Sequence, residues 1–223
     1  MSLLRQAHKS LVYERRIRRL AELLAEALPD PCSLLDIGCG DGKLASLLSH
    51  IRPVLRIEGV DVVPREETSF PVRLYDGVSL PFADSSFDAV MLIDVLHHTR
   101  DPLQLLQEAL RVSRGSLIVK DHIRQGFAAE ARLRFMDYIG NSGLGVGLPY
   151  NYLLQHEWDD IERSLGLSVL AKKSELKLYP QPFDYIFGSG LHFFALYQKI
   201  RSDDDRHGRV EAGGESGSSR GGV

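Results

Sequence analysis

The sequence predicts one α/β domain organised around a parallel, doubly wound sheet. Short apolar runs without helical period alternate with amphipathic stretches through the first half of the chain. One of these runs, Ser33-Leu34-Leu35-Asp36-Ile37, enters a glycine-rich turn. The length of 223 residues suits a single core rather than two. Parallel neighbours need crossovers and helices are the usual ones, so the alternation itself selects this architecture.

From Leu11 to Leu28, apolar residues at Ile17, Leu20, Ala21, Leu24 and Leu28 share one face of a helix, which Pro29 and Pro31 stop. Ser33 to Ile37 follows as a buried strand, and a helix is expected from Lys43 to Ser49. Strands are expected at Arg56 to Val60, Val72 to Leu74 and Phe87 to Ile93, then a helix over Pro102 to Val112 and a strand over Ser116 to Val119. After Asp121 the rhythm breaks. A helix from Gln125 to Ile139 leads into a loop, Gly140 to Pro149, whose length and glycines at 140, 143, 145 and 147 mark it as functional. Trp158, Ile161 and Leu165 indicate another helix, and Ser168 to Ala171 with Leu191 to Tyr197 read as the closing strands of a seven-stranded sheet. Residues 1–201 are assigned to the domain, with an insert around residues 123–153. Residues 202–223, nearly without apolar side chains, are expected to form a disordered tail.

Composition narrows the function classes. A hydrophobic share of 43% is ordinary for a globular chain, and no apolar run reaches membrane-spanning length. Met1 to Arg19 carries charge throughout and lacks a signal-peptide pattern, so a cytoplasmic location is expected. Cys32 and Cys39 are too few for a disulfide framework and are expected to be reduced. The net charge of −3 offers no global attraction to phosphate. A small-molecule partner is therefore favoured over nucleic acid.

The segment Leu34 to Gly42 runs strand, glycine turn, helix, the arrangement that brings backbone amides to a ligand at the carboxyl edge of a sheet. Its spacing is Gly-x-Gly-x-Gly, and Lys43 stands where the dinucleotide fingerprint places a third glycine, which disfavours a nicotinamide or flavin. Asp61 ends the next strand, where its carboxylate is placed to accept both hydroxyls of a ribose.

On these residues the chain resembles the class I S-adenosylmethionine-dependent methyltransferases, particularly the group whose methyltransferase domain is catalogued as type 11. Leu34 to Gly42 is similar to the family's first motif, Gly59-Val60-Asp61 to its second, Asp76-Gly77 with Leu80-Pro81-Phe82 to its third, and Phe87 to His98 to its fourth. The resemblance covers residues 34–98 in the right order. It implies a Rossmann-like sheet whose last strand is antiparallel, and S-adenosyl-L-methionine as cofactor. By the same resemblance Asp36, Gly38, Cys39 and Gly40 hold the methionine portion, Asp61 with Val62 the ribose, Asp76 with Gly77 the adenine, and Asp94 and Val95 close the pocket.

Methyl transfer from a sulfonium is an in-line displacement, so the protein aligns the acceptor, excludes water and in some cases removes a proton. His97 and His98 follow the fourth strand, and Lys120-Asp121-His122 is expected directly after the fifth. His122 is the preferred base, with Asp121 and His97 as its companions. A metal site built from Asp121, His122 and His97 has no recognised ligand spacing, and no metal is expected. Asp137, Asn141, Tyr150 and Asn151 cluster around the glycine-rich loop and are candidates for holding the acceptor.

Asp94-Val95-Leu96-His97 is not the Asn/Asp-Pro-Pro-aromatic run of enzymes that methylate base amino groups, and no Pro-Cys nucleophile follows the fourth strand. An oxygen, nitrogen or carbon acceptor on a metabolite or lipid-like molecule leads. A cofactor-binding regulatory protein without turnover and a protein methyltransferase stand beside it, with a dehydrogenase disfavoured by Lys43.

Overall fold

A computed structural model describes residues 12–141, 149–181, 183–188 and 190–199, without the side chains of residues 139–141. Seven strands form one sheet in the order β3-β2-β1-β4-β5-β7-β6. They are β1 (Ser33–Ile37), β2 (Arg56–Asp61), β3 (Val72–Leu74), β4 (Phe87–Ile93), β5 (Ser113–His122), β6 (Leu167–Lys173) and β7 (His192–Lys199). β1 pairs in parallel with β2 and β4, as do β2 with β3 and β4 with β5. Only β7 runs antiparallel, to β5 on one side and β6 on the other. The seven-stranded, mostly parallel sheet with an antiparallel last strand is thus the observed fold.

Among the described residues five α-helices accompany the sheet: α1 (Glu14–Ala27), α2 (Lys43–Ile51), α3 (Pro102–Val112), α4 (Ala129–Asn141) and α5 (Gln155–Ser164). Alternation along the strands sorts the core into two layers. Leu34, Met91, Ile118 and Phe194 pack against Leu20, Leu24, Leu44 and Leu48 of α1 and α2. Leu35, Val90, Leu92, Leu117, Val119 and Phe193 pack on the other side against Leu106, Ala109 and Leu110 of α3 and Trp158 of α5. Each fully buried leucine contributes about 2 kcal/mol through apolar burial. Asp101 caps α3 by accepting from the Gln104 N–H at 3.0 Å, and Pro102 occupies the first turn.

Two sequence expectations need correction. β5 continues to His122 rather than ending at Val119, because β7 pairs with it from Ser116 through His122. Lys120, Asp121 and His122 are therefore the last residues of a central strand rather than residues that follow it, and Lys120 has no exposed surface. α4 begins at Ala129 rather than Gln125, since Gly126 at φ 92° and Ala128 at φ 50° break the helical path. Most of the glycine-rich loop, residues 142–148, and the tail, residues 202–223, lie outside the described residues. Among the described residues no helix is long and apolar enough to cross a membrane.

Candidate cofactor and acceptor site

The carboxyl ends of β1, β2, β4 and β5 share one edge, and the segments that leave them build the site. After β1 the chain turns sharply through Gly38 at φ 72° and Gly40 at φ 60°. A Cβ on Gly38 would stand 2.5 Å from Val95 Cγ2, so the turn packs directly on the segment after β4. A Cβ on Gly40 would meet nothing within 4 Å, so this part of the turn faces open space. The Gly38 and Cys39 N–H groups donate to the Val60 carbonyl at 2.8 and 3.1 Å. Asp61 then ties the two loops together, accepting from Gly40 N–H through Oδ2 at 2.8 Å and from Val63 N–H through Oδ1 at 2.9 Å. Asp36 is 2% exposed, and its Oδ2 is buried without a hydrogen-bond partner. Burial, followed by the charge of Asp61, pushes its carboxyl up to about 8.

Beyond this turn lies a buried ionic cluster. Asp94, at φ 58°, is held by Arg16 of α1 and by Lys120 of β5. Burial opposes its charge, but these two cations and His122 hold the carboxyl far below the usual range. Lys120 Nζ also lies 3.1 Å from His192 Nδ1, and His192 Nε2 donates to the Phe187 carbonyl at 2.9 Å.

Next to that group, His97 Nδ1 lies 2.6 Å from Asp121 Oδ1, and Asp121 Oδ2 accepts from the Leu96 N–H at 2.9 Å. His122 Nδ1 stands 3.3 Å from His97 Nδ1. Asp137 of α4 approaches His97 Nε2 at 3.5 Å and accepts from the Tyr152 hydroxyl. Although burial opposes it, Asp121 and Asp137 raise His97 to about 10. His122 is lowered by burial, then by His97 and Lys120, and His98 falls to about 4 through burial and the adjacent His97. Trp158 of α5 fastens this corner by donating its indole N–H to the His122 carbonyl at 3.1 Å.

A family profile described as a methyltransferase domain matches residues 9–172. The chain belongs to that methyltransferase family. The profile is numbered 23, whereas the sequence resemblance pointed to type 11; both are methyltransferase domains. The 27-O-demethylrifamycin SV methyltransferase of Amycolatopsis mediterranei is 30% identical over 132 residues, 52% of this chain and 48% of that one. The demethylmenaquinone methyltransferase of Thermotoga maritima is 32% identical over 111 residues, 46% of this chain and 48% of that one. The chain spans about half the length of these curated relatives. Among solved structures, a SAM-dependent methyltransferase from Methanosarcina mazei superposes with a TM-score of 0.59 at 19% identity, over 81% of this chain and 98% of that one. The 4+2 cyclase SpnF superposes with a TM-score of 0.58 at 18% identity, over 82% of each chain. At these identities the likeness shows the fold.

S-adenosylmethionine is the cofactor that membership in this methyltransferase family implies, and the residues present fit it. Its ribose hydroxyls and ammonium are donors. The turn offers the remaining lone pairs of Asp61, the partnerless Oδ2 of Asp36 and the open side of Gly40. Farther along the edge, Val62 is half exposed, while Asp76 is spent on its own turn: its Oδ1 accepts from the Val78 and Ser79 N–H groups at 2.8 Å each, next to Gly77 at φ 80°. Val95 packs on Gly38, whereas Asp94 is engaged by Arg16 and Lys120.

His97, Asp121, His122 and Asp137 meet in one cluster. The Asn151 N–H donates to the His97 carbonyl at 2.9 Å, and the Tyr150 ring lies 6.1 Å from that of Tyr152 with the Arg134 guanidinium 5.2 Å from its centre. The Asn141 side chain lies outside the described residues. His192 had no sequence signal; it reaches the site because β7 places it opposite His122.

Proposed function

We propose that the chain transfers a methyl group from S-adenosylmethionine to an oxygen, nitrogen or carbon of a small or lipid-like molecule. The observation that carries this reading is the glycine turn joined through Gly40 to the Asp61 carboxylate, in a chain of the methyltransferase family. When bound, the cofactor supplies an electrophilic methyl group on a sulfonium. Asp61 accepts from the ribose hydroxyls, with Val62 beside them and Asp76 and Gly77 toward the base. Asp36, Gly38, Cys39 and Gly40 receive the methionine portion, and Asp94 and Val95 border it. His122, kept neutral by burial and cationic neighbours, takes the proton that the acceptor gives up. Asp121 and His97 orient that imidazole, and Asp137, Asn141, Tyr150 and Asn151 hold the acceptor in line.

Because a cyclase shares the fold, the chemistry has to be tested at the site. Calorimetric titration with S-adenosylmethionine and its demethylated product should give binding on about the micromolar scale usual for enzyme ligands. Asp61→Ala should abolish it, and Asp61→Asn, which keeps one acceptor oxygen, should weaken it. Incubation of metabolite extracts with methyl-labelled cofactor should label a small molecule with the native protein and not with His122→Ala. Absence of binding to either cofactor form sinks the reading. Binding without labelled product leaves a cofactor-binding protein without turnover.

A further inference from the structure

Two imidazole nitrogens at the acceptor end are buried without a hydrogen-bond partner, His97 Nε2 and His98 Nδ1. Both rings belong to the 3-10 turn Leu96–His98 that follows β4, and their centroids are 3.8 Å apart. Asp137 comes from α4 to the same place, with Oδ2 at 3.5 Å from His97 Nε2. One atom from each of His97, His98 and Asp137 lies within 4.8 Å of the other two.

A proton between His97 Nε2 and Asp137 serves that pair alone, and a neutral His98 carrying its hydrogen on Nδ1 would still need an acceptor of its own. A cation that accepts several lone pairs serves all three atoms together.

Two of the three groups are already anchored from behind in the manner typical of metal ligands. His97 keeps its Nδ1 on Asp121 at 2.6 Å, and Asp137 receives the Tyr152 hydroxyl. Metal–ligand bonds of about 2.1 Å place neighbouring ligand atoms about 3.0 to 3.5 Å apart, according to coordination number. The 3.5 Å between His97 and Asp137 falls at that separation.

Two other groupings of ligand-type residues occur nearby, Asp94 with His122 and His192, and His97 with Asp121 and His122. Both are closed by the protein's own donors. Lys120 joins Asp94 to His192, and Asp121 is taken up by His97 and by the Leu96 and His122 N–H groups.

We propose that His97 Nε2, His98 Nδ1 and the Asp137 carboxylate bind a divalent transition-metal ion of the zinc, ferrous or manganous class. Two imidazoles and one carboxylate form a facial set that leaves coordination positions for an oxygen of the acceptor. An ion there fixes that oxygen and polarises it. This role rests on the methyl-transfer reading, whereas binding of the ion does not.

The experiment is a titration of the whole metal-free protein with Co2+, followed by visible absorption. His98→Ala and Asp137→Asn are the variants, and His50→Ala, which removes an exposed histidine of α2, is the control. The native protein and His50→Ala should take up about one ion per chain with the absorption of a nitrogen- and oxygen-bound site. His98→Ala should lose saturable binding while keeping the native affinity for the demethylated cofactor. Asp121→Asn, which loosens His97 from behind, should weaken binding about 10- to 100-fold. Should Asp137→Asn fail to fold, His98→Ala carries the test, since the His98 ring is only partly buried. Equal Co2+ affinity in His98→Ala and native protein, or no uptake by the native protein at micromolar Co2+, overturns the proposal. Normal binding of the demethylated cofactor in the same sample shows that the methyl-transfer reading survives that failure.

Discussion

Lys120, with no exposed surface, forms its ion pair with Asp94 across the parallel β4–β5 edge, and Arg16 of α1 closes on the other oxygen of that carboxylate. The first segment that follows β4 is thus tied to a central strand and to the first described helix at once. Removing one member of a buried pair strands the other charge, so Lys120→Met should lower stability by about 3–5 kcal/mol in urea unfolding. The double variant Lys120→Met with Asp94→Asn should recover part of that loss. A single variant as stable as the native protein would show that the pair does not hold this corner.

Asp36 provides a pH signature for the glycine turn. Its carboxyl is raised to about 8 by burial and by Asp61, so the folded state holds a proton that the unfolded chain releases near pH 4. The stability it contributes is complete below about pH 4 and is lost as pH rises toward about 8, with a slope of at most about 1.4 kcal/mol per pH unit. Asp36→Asn should flatten that part of the stability profile. Calorimetry in buffers of different ionisation enthalpy should also show proton release when the demethylated cofactor binds at pH 7, because its ammonium favours the ionised Asp36. Identical heats in all buffers would remove Asp36 from the binding site.

The two glycines should separate folding from binding. Gly38→Ala combines a left-handed backbone with a Cβ 2.5 Å from Val95, and should cost about 2–3 kcal/mol along with cofactor binding. Adding Val95→Ala removes the overlap but not the strain. Gly40→Ala has open space around its Cβ and should cost only about 1 kcal/mol. On the proposed function it should nevertheless impair cofactor binding strongly, because the added methyl points into the open space given there to the cofactor. Thermal melts beside calorimetry decide it, and unimpaired binding by Gly40→Ala would place the cofactor elsewhere.

Tyr152 donates its hydroxyl to Asp137 from a ring that is itself 5% exposed. Tyr152→Phe preserves the packing and leaves a buried carboxylate one donor short, which should cost about 1–3 kcal/mol. On the proposed function, which gives Asp137 to the acceptor, cofactor affinity should be unchanged while methyl transfer falls. A parallel loss of cofactor binding would place Asp137 in the cofactor pocket instead.

Period and turn chemistry made most of the fold legible. β1 and β4 lie where alternation and breakers place them, because parallel strands buried on both faces are written as continuous apolar runs between glycine and proline, and β3 and α3 also lie at their expected bounds. The end of β5 was not legible, since a run of Lys120, Asp121 and His122 looks like a loop until β7 pairs beside it. The start of α4 was missed because left-handed backbone at Ala128 has no side-chain signature.

The same division runs through the site. By itself the sequence determined the glycine turn, the carboxylate of Asp61 at the next strand end and the crowd of titratable residues around the ends of β4 and β5, because these are local features of strand, turn and spacing. Tertiary structure alone decided that Lys120 is the buried counter-ion of Asp94, and that His192 reaches the cluster from β7. It also decided that His97 and His98, each with a partnerless ring nitrogen, come together with Asp137. Those relationships depend on which strands are neighbours and on how α4 folds back over the sheet edge, and contacts between residues far apart in the chain leave no periodic trace in it.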